Sequence, residues 1–431
     1  MNLGPLAGVL AFAVVLLLIL AQVPVAVAMG LVGVVAITLT DGWGTAGFML
    51  GRSAFDAAFP YAFSVVPLFV AMGVLAARAG LGQSLYTLLA SLLGHRRGGL
   101  AHATIAACAA FGSICGSSIA TAATMGRIAL PEMRARGYAD SLAAASVVAG
   151  GTLGVMIPPS IFFALYGLMT GQSIGALFLA GVLPGLLGMT LYMGAVAWSV
   201  HRAPASGPAG PRRDAAARWV ALRQVWPVAL LFGVVIGGMT LGWFSPTEAA
   251  AVGVAGALVL GAGRMKRRDW GEALTEIALT TGMIFTLLIG ANVFNYFIES
   301  THLTDALIGW VGALGASRWT VIALLMLFYV VLGALMDEIS MILLTVAPAY
   351  ALVTGLGFDP IWFGVMLVTV CEIGMIVPPV GMNLFVVQRV GGLSMGTVVA
   401  GITPFALADG LRLLLLCAAP GLATWLPRAL G

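Results

Sequence analysis

The chain has 431 residues, of which 61% are hydrophobic and only 8% charged, and its formal net charge is +4. Soluble domains carry about 25% charged residues, so this composition lacks the polar groups to cover a water-facing surface and excludes a soluble enzyme, a nucleic-acid binder and a disordered scaffold. What remains is an all-α polytopic membrane protein, whose spans each need about 20 mostly apolar residues.

Taken in chain order, the apolar runs predict spans at 5–23, 24–40, 59–79, 142–170, 176–200, 224–242, 245–262, 274–298, 358–391 and 396–426. No Lys or Arg precedes the first, so it reads as a span and not as a cleavable signal peptide, which has a basic leading region. Two further apolar segments are interrupted. Residues 100–125 carry Gly112, Ser113, Gly116, Ser117 and Ser118, and residues 319–355 carry Asp337, Glu338 and Ser340. Polar groups midway through an apolar run must face protein or water. The four cysteines, Cys108, Cys115, Cys371 and Cys417, are scattered and form neither a disulfide framework nor a zinc pattern.

Basic residues set the orientation, because cytoplasmic loops are enriched in them. The loop 201–223 holds Arg202, Arg212, Arg213, Arg218 and Arg223, and the loop after the next two spans holds Arg264, Lys266, Arg267 and Arg268. Arg96 and Arg97 precede segment 100–125, and Arg134 and Arg136 follow it. Placing all of these inside makes that segment a re-entrant hairpin, and leaves only Arg52, Arg318, Arg412 and Arg428 away from the inner side.

The chain also repeats itself. Gly154-Val-Met-Ile-Pro-Pro159 resembles Gly374-Met-Ile-Val-Pro-Pro379, and Ala180-Gly-Val-Leu-Pro184 matches Ala400-Gly-Ile-Thr-Pro404, both at a spacing of 220 residues. The same spacing maps segment 100–125 onto 320–345. Each half then has five crossing helices and one re-entrant hairpin. An odd number of crossings inverts the second half relative to the first. The expected organisation is a first repeat at 1–200 with its hairpin at about 100–140, an Arg-rich cytoplasmic linker at 201–223, and a second repeat at 224–431 with its hairpin at about 319–356. Inverted repeats with broken helices characterise secondary transporters.

Four places carry the polar chemistry. The string Gly112 to Thr124 offers turn-forming glycines and neutral hydroxyls, against the plainer reading of a small-residue packing face. Pro158-Pro159 and Pro378-Pro379 each remove two amide donors inside an apolar run and leave carbonyls free for another donor or a cation, where a single such motif could be a simple kink. Asp337 and Glu338 are functional by default inside a membrane, or interfacial caps if the tip is wet. Glu372 is open to either a structural ion pair or a proton-linked role. The chain has neither a Gly-rich phosphate loop ending in Gly-Lys-Ser/Thr nor a His-Glu-x-x-His motif, so the energy source is an ion gradient or substrate flow, and no enzymatic activity is expected.

At these residues the chain resembles a known family. GSICGSSIATAATMGRIALPEM, GGTLGVMIPPSI, SIGALFLAGVLPGLL and EIGMIVPPVGMNLF look like the large membrane subunit (the M subunit, DctM-like) of tripartite ATP-independent periplasmic (TRAP) transporters, over about residues 20–415. The resemblance implies a sodium-coupled, elevator-type importer of organic acid anions, such as C4-dicarboxylates, in a prokaryotic inner membrane. It implies as partners a small four-helix membrane subunit and a periplasmic substrate-binding protein. Carried over, the first sodium site involves Ser117, Gly154, Ile157 and Pro159. Cys115 stands where a Ser is expected and contributes through its backbone carbonyl. The second site involves Ser340, Gly374, Val377 and Gly381, with Val377 standing where a Thr is expected. The implied substrate position lies between the hairpin tips, near Ser117, Ser118, Ser160, Asp337 and Asn383. A stand-alone sodium/anion symporter shares the same plan, and a passive channel or facilitator is the alternative from a different class.

Overall fold

The structure is a computed structural model describing residues 4–313, 315, 317–378 and 380–430, and the described residues form helices and connecting turns with no strand. The first half contains α1 (Pro5–Leu20), α2 (Val25–Asp41), α3 (Trp43–Ala58), α4 (Val65–Arg78), α5 (Leu81–Leu93), α6 (Gly99–Cys115), α7 (Ser118–Ala135), α8 (Asp140–Met156), α9 (Ile161–Thr170) and α10 (Ile174–Arg202). The second contains α11 (Ala215–Thr240), α12 (Pro246–Ala262), α13 (Arg267–Ser300), α14 (Leu303–Ala313), α15 (Arg318–Gly333) and α16 (Glu338–Gly355). It closes with α17 (Pro360–Ile376), α18 (Met382–Gly391), α19 (Met395–Ala400), α20 (Thr403–Ala418) and α21 (Gly421–Leu430).

Local chemistry sets most boundaries. Side chains of Ser117, Ser160, Ser173, Asp214, Ser245, Ser317, Asp337, Asp359 and Ser394 accept backbone amides at helix starts, which satisfies donors that have no partner inside the helix. α6 ends at Gly116, whose φ of +64° suits a residue without Cβ.

Several sequence boundaries need correction. The expected span 142–170 is α8 and α9, separated by the Pro158-Pro159 turn, and 358–391 is α17 and α18. The expected span 396–426 is three helices, with α20 and α21 bent by 60°. The helix assigned to 274–298 begins at Arg267, and the linker assigned to 201–223 becomes helical from Ala215. The helices α3, α5 and α14 are absent from the sequence reading. α3 pairs Arg52 with Asp56 on its surface at 3.2 Å, and α5 carries Gln83, Ser84, Thr87 and Ser91, so neither presents the long apolar run that hydropathy detects.

Both polar-interrupted segments fold into antiparallel helix pairs closed at the base. In the α6–α7 pair, the Leu100 amide donates to the Tyr138 hydroxyl at 3.1 Å, and Thr104 reaches Met133 Sδ at 3.6 Å. In the α15–α16 pair, Trp319 stacks edge-on against Phe358 with ring centroids 5.0 Å apart. Residues 203–210 are stitched to the first base. Gly98 and Ala139 donate amides to the Gly207 and Ser206 carbonyls, and Gly210 donates to the Gly94 carbonyl. The Arg-rich linker and both ends of the first hairpin therefore lie on one side of the molecule.

At the centre stand α8 and α17, buried along almost their whole length. α8 packs against α6 and α7, and α17 against α15 and α20. The second half of each broken helix crosses over: α9 lies on α16 and α18 lies on α7. A second group, α1, α2, α4, α11, α12 and α13, packs mainly on itself and presents exposed Leu, Val and Trp side chains outward. In lipid, helix association rests on close packing of small residues. Here a Cβ on Gly374 would come within 2.6 Å of the Gly333 Cα, and Gly112 meets Gly154 in the same way.

Candidate functional site

Four helix starts converge on the two breaks and the two hairpin tips. Ile161, the first residue of α9, donates its amide to the Gly116 carbonyl at 3.4 Å, which joins the first break to the first tip. The Asn383 amide nitrogen on α18 donates to Ser118 Oγ at 2.7 Å and to the Val148 carbonyl at 3.2 Å, which joins the second break to the first tip and to α8. Glu338 on the second tip lies beside the Ser118 backbone amide. Asn383, Ser118 and Ser160 are fully buried, and Glu338 nearly so.

Of the expected substrate residues, Ser118 and Asn383 are in direct contact. Asn383 Oδ1 is buried and unpaired. Ser117 and Ser160 use their hydroxyls as helix caps, accepting from Ala120 at 3.4 Å and Phe163 at 3.3 Å. Asp337 caps α16 through the Ile339 and Ser340 amides at 3.1 and 3.0 Å, and accepts from Ser340 Oγ at 2.5 Å. α18 differs from the other three helices because Gly381 gives its first amides no side-chain cap.

The expected cation residues frame two oxygen-lined cradles. At the first, the position a Cβ on Gly154 would take lies 3.0 Å from the Ser117 carbonyl and 2.6 Å from Thr121 Oγ1. A Cβ on Gly116 would lie 2.9 Å from the Pro159 carbonyl. Thr121 Oγ1 is buried with no hydrogen-bond partner. At the second, a Cβ on Gly381 would lie 3.0 Å from the Val377 carbonyl and 3.1 Å from that of Met375. The glycines thus let these carbonyls and an orphaned hydroxyl approach the backbone closely, and such neutral oxygens suit a hard monovalent cation. Ile157 extends the first break after α8. Cys115 directs its carbonyl toward Gly73 of α4, 2.8 Å from where a Cβ there would lie. Gly374 packs its backbone on Gly333. Pro379 lies outside the described residues.

Three features escaped the sequence reading. Thr121 and the Met375 carbonyl were not singled out, although Thr121 lies inside the hydroxyl-rich string. Arg412, read only as a charge within a span, is fully buried and pairs with both Glu372 and Asp409. Glu372, for which an ion pair or a proton-linked role was open, is paired with Arg412.

An apolar helical shell around paired helix breaks and hairpin tips defines a multi-pass membrane transporter. Residues 12–422 match the family described as the tripartite ATP-independent periplasmic transporter DctM component, and the chain belongs to that family. It is 33% identical over 387 residues to the C4-dicarboxylate TRAP transporter large permease protein DctM of Pseudomonas aeruginosa, covering 89% of this chain and 90% of that one. It is 31% identical to the sialic acid TRAP transporter large permease protein SiaM of Vibrio cholerae, covering 84% and 85%. It is 30% identical to the ectoine TRAP transporter large permease protein TeaC of Halomonas elongata, covering 85% and 86%. These relatives are permeases, and the chain is not an enzyme. The fold is similar to that of the Alcanivorax borkumensis YdaH transporter, with a TM-score of 0.62 at 17% identity over 90% of each chain.

Proposed function

We propose that this chain is the sodium-coupled carrier of a tripartite uptake system for an organic acid anion in a prokaryotic inner membrane. The observation that carries the reading is the pair of oxygen-lined cradles beside the two helix breaks, around Gly154 at the first and Gly381 at the second. Ser117, Thr121 and Pro159 would hold one sodium ion, and Met375 and Val377 the other, with Ser340 beside the second. Sodium supplies the driving force and neutralises charge near the bound anion.

The anion would sit where the tips meet. The uncapped amides of α18 and the Asn383 side chain offer donors to a carboxylate, as half-helix N-termini do in other carriers. Asp337 and Glu338 oppose an anion directly, so their role is to hold the second tip. C4-dicarboxylates lead the candidate substrates, by the name of the Pseudomonas relative. The small membrane subunit would cover the exposed apolar face of the outer helix group, and a periplasmic binding protein would deliver substrate.

The two halves, 1–200 and 224–431, are read as inverted repeats joined by the cytoplasmic linker 201–223. In an elevator step the central group of hairpins and broken helices slides past the outer group. The test is uptake into proteoliposomes containing this chain, the small subunit and the binding protein. Substrate should concentrate inside when sodium is high outside. Equal uptake with potassium in place of sodium, or uptake that never exceeds the outside concentration, overturns the reading.

A further inference from the structure

We propose that a buried relay of side chains couples the two helix breaks, with Arg412 as its positioning residue. The proposal rests on the two-cation reading above. The relay runs from α8 through α10 and α20 to α17. Thr152 Oγ1 lies 3.1 Å from the Tyr192 hydroxyl, and that hydroxyl donates to Asp409 Oδ2 at 2.6 Å. Tyr192 has one hydroxyl proton and gives it to Asp409, and Thr152 Oγ1 also donates to the Ala149 carbonyl at 2.8 Å, so the one Thr152 proton is shared between that carbonyl and the Tyr192 oxygen. Arg412 Nη2 lies 2.8 Å from Asp409 Oδ1, at an angle that makes an ion pair and not a hydrogen bond, and also pairs with Glu372 Oε2. All five residues are fully buried.

Its placement gives the relay its meaning. Thr152 stands two residues before Gly154, and Glu372 stands two residues before Gly374. Both ends of the relay therefore sit on the last turn before a break. The spacing of 220 relates Thr152 to Glu372 and Tyr192 to Arg412. Each half thus supplies one residue from its broken helix and one from the long helix that follows, and Asp409 bridges the two pairs. Gly188 on α10 makes room for the guanidinium, since a Cβ there would lie 3.1 Å from Arg412 Cζ.

Desolvated charges cannot part without leaving one uncompensated, so a shift of α17 at its break pulls on Arg412 and, through Asp409 and Tyr192, on α8. Glu372 Oε1 and Arg412 Nε and Nη1 are buried without hydrogen-bond partners. These free positions give the guanidinium a second way to engage the same two acids. Two discrete arrangements of one element, each favoured by a different occupancy of the breaks, are what coupling between sites requires.

Tyr192→Phe tests this, because it cuts the relay at a neutral link and leaves the ion pairs in place. Thr152→Val cuts it one bond earlier, and Thr152→Ser keeps the hydroxyl. In the reconstituted three-component system the expected Hill coefficient for sodium is above one for wild type and Thr152→Ser, and falls toward one for Tyr192→Phe and Thr152→Val. Transport at saturating sodium should persist in all four proteins. A role in folding alone would lower yield and leave the Hill coefficient where it was. A wild-type coefficient above one that is unchanged in both cutting variants overturns the relay while sparing the two-cation reading. A wild type with no cooperative sodium dependence overturns that reading and the relay together.

Discussion

Replacing Thr121 with Val separates a sodium ligand from a structural hydroxyl, because the two roles change stability in opposite directions. Thr121 Oγ1 is buried without a partner beside the Ser117 carbonyl and Gly154. Leaving a buried polar group unpaired costs about 1–3 kcal/mol. Valine has nearly the same shape and no hydroxyl, so in sodium-free buffer Thr121→Val should be more stable than wild type by about 1 kcal/mol. With sodium the order reverses. Losing one ligand bond worth about 1–1.5 kcal/mol weakens binding roughly 5- to 10-fold. Ligand stabilisation grows as RT ln(1 + [L]/Kd), so at high sodium a tenfold weaker site loses about 1.4 kcal/mol. The assay is thermal unfolding of the purified protein across a sodium titration, with potassium holding ionic strength constant. The two stability curves should cross. An unchanged sodium midpoint, or a variant less stable without sodium, refutes the assignment of Thr121 to the first cradle.

Three further outcomes are expected. Gly374→Ala places a Cβ 2.6 Å from the Gly333 Cα and 2.9 Å from the Ala334 nitrogen; it should destabilise by about 1–3 kcal/mol through overpacking, whereas Gly355→Ala, which meets nothing within 4 Å, should leave the thermal midpoint unchanged or slightly raised. Single cysteines at Arg97 and Arg134, on the base of the first hairpin, should both react with an impermeant thiol reagent only from the cytoplasmic face, and labelling from opposite faces would mean that the segment crosses the membrane. Asp337→Asn keeps an acceptor for the α16 amides and should fold normally, yet slow uptake even at saturating sodium; wild-type uptake would reduce Asp337 to a helix cap.

The sequence made the polar interruptions legible because they are costly in an apolar run. Proline pairs, glycine clusters and intramembrane acids stand out against Leu, Val and Ala, and the family strings gather on them. Thr121 did not stand out, because it lies a turn inside α7 and looks like helix packing until Gly154 is placed opposite. The Met375 carbonyl is backbone chemistry and leaves no mark on residue type. The relay was hidden for another reason. The 220-residue spacing pairs Thr152 with Glu372 and Tyr192 with Arg412, residues too unlike to register as a repeat, and Asp409 joins them only through packing. The helices α3 and α5 fell below notice because polar residues interrupt their apolar runs, and α14 because its apolar run is only 11 residues long.

The central claim is that two sodium ions move with each substrate, and a flux-balance measurement tests it most directly. In proteoliposomes with this chain and its two partners, the membrane potential is clamped at zero and a tenfold substrate gradient is opposed by a variable sodium gradient. Two coupled ions predict zero net substrate flux at a roughly threefold sodium gradient, since the free energies of both ions add. Balance at a tenfold gradient would mean one ion per substrate, and a net flux indifferent to sodium would contradict the account altogether.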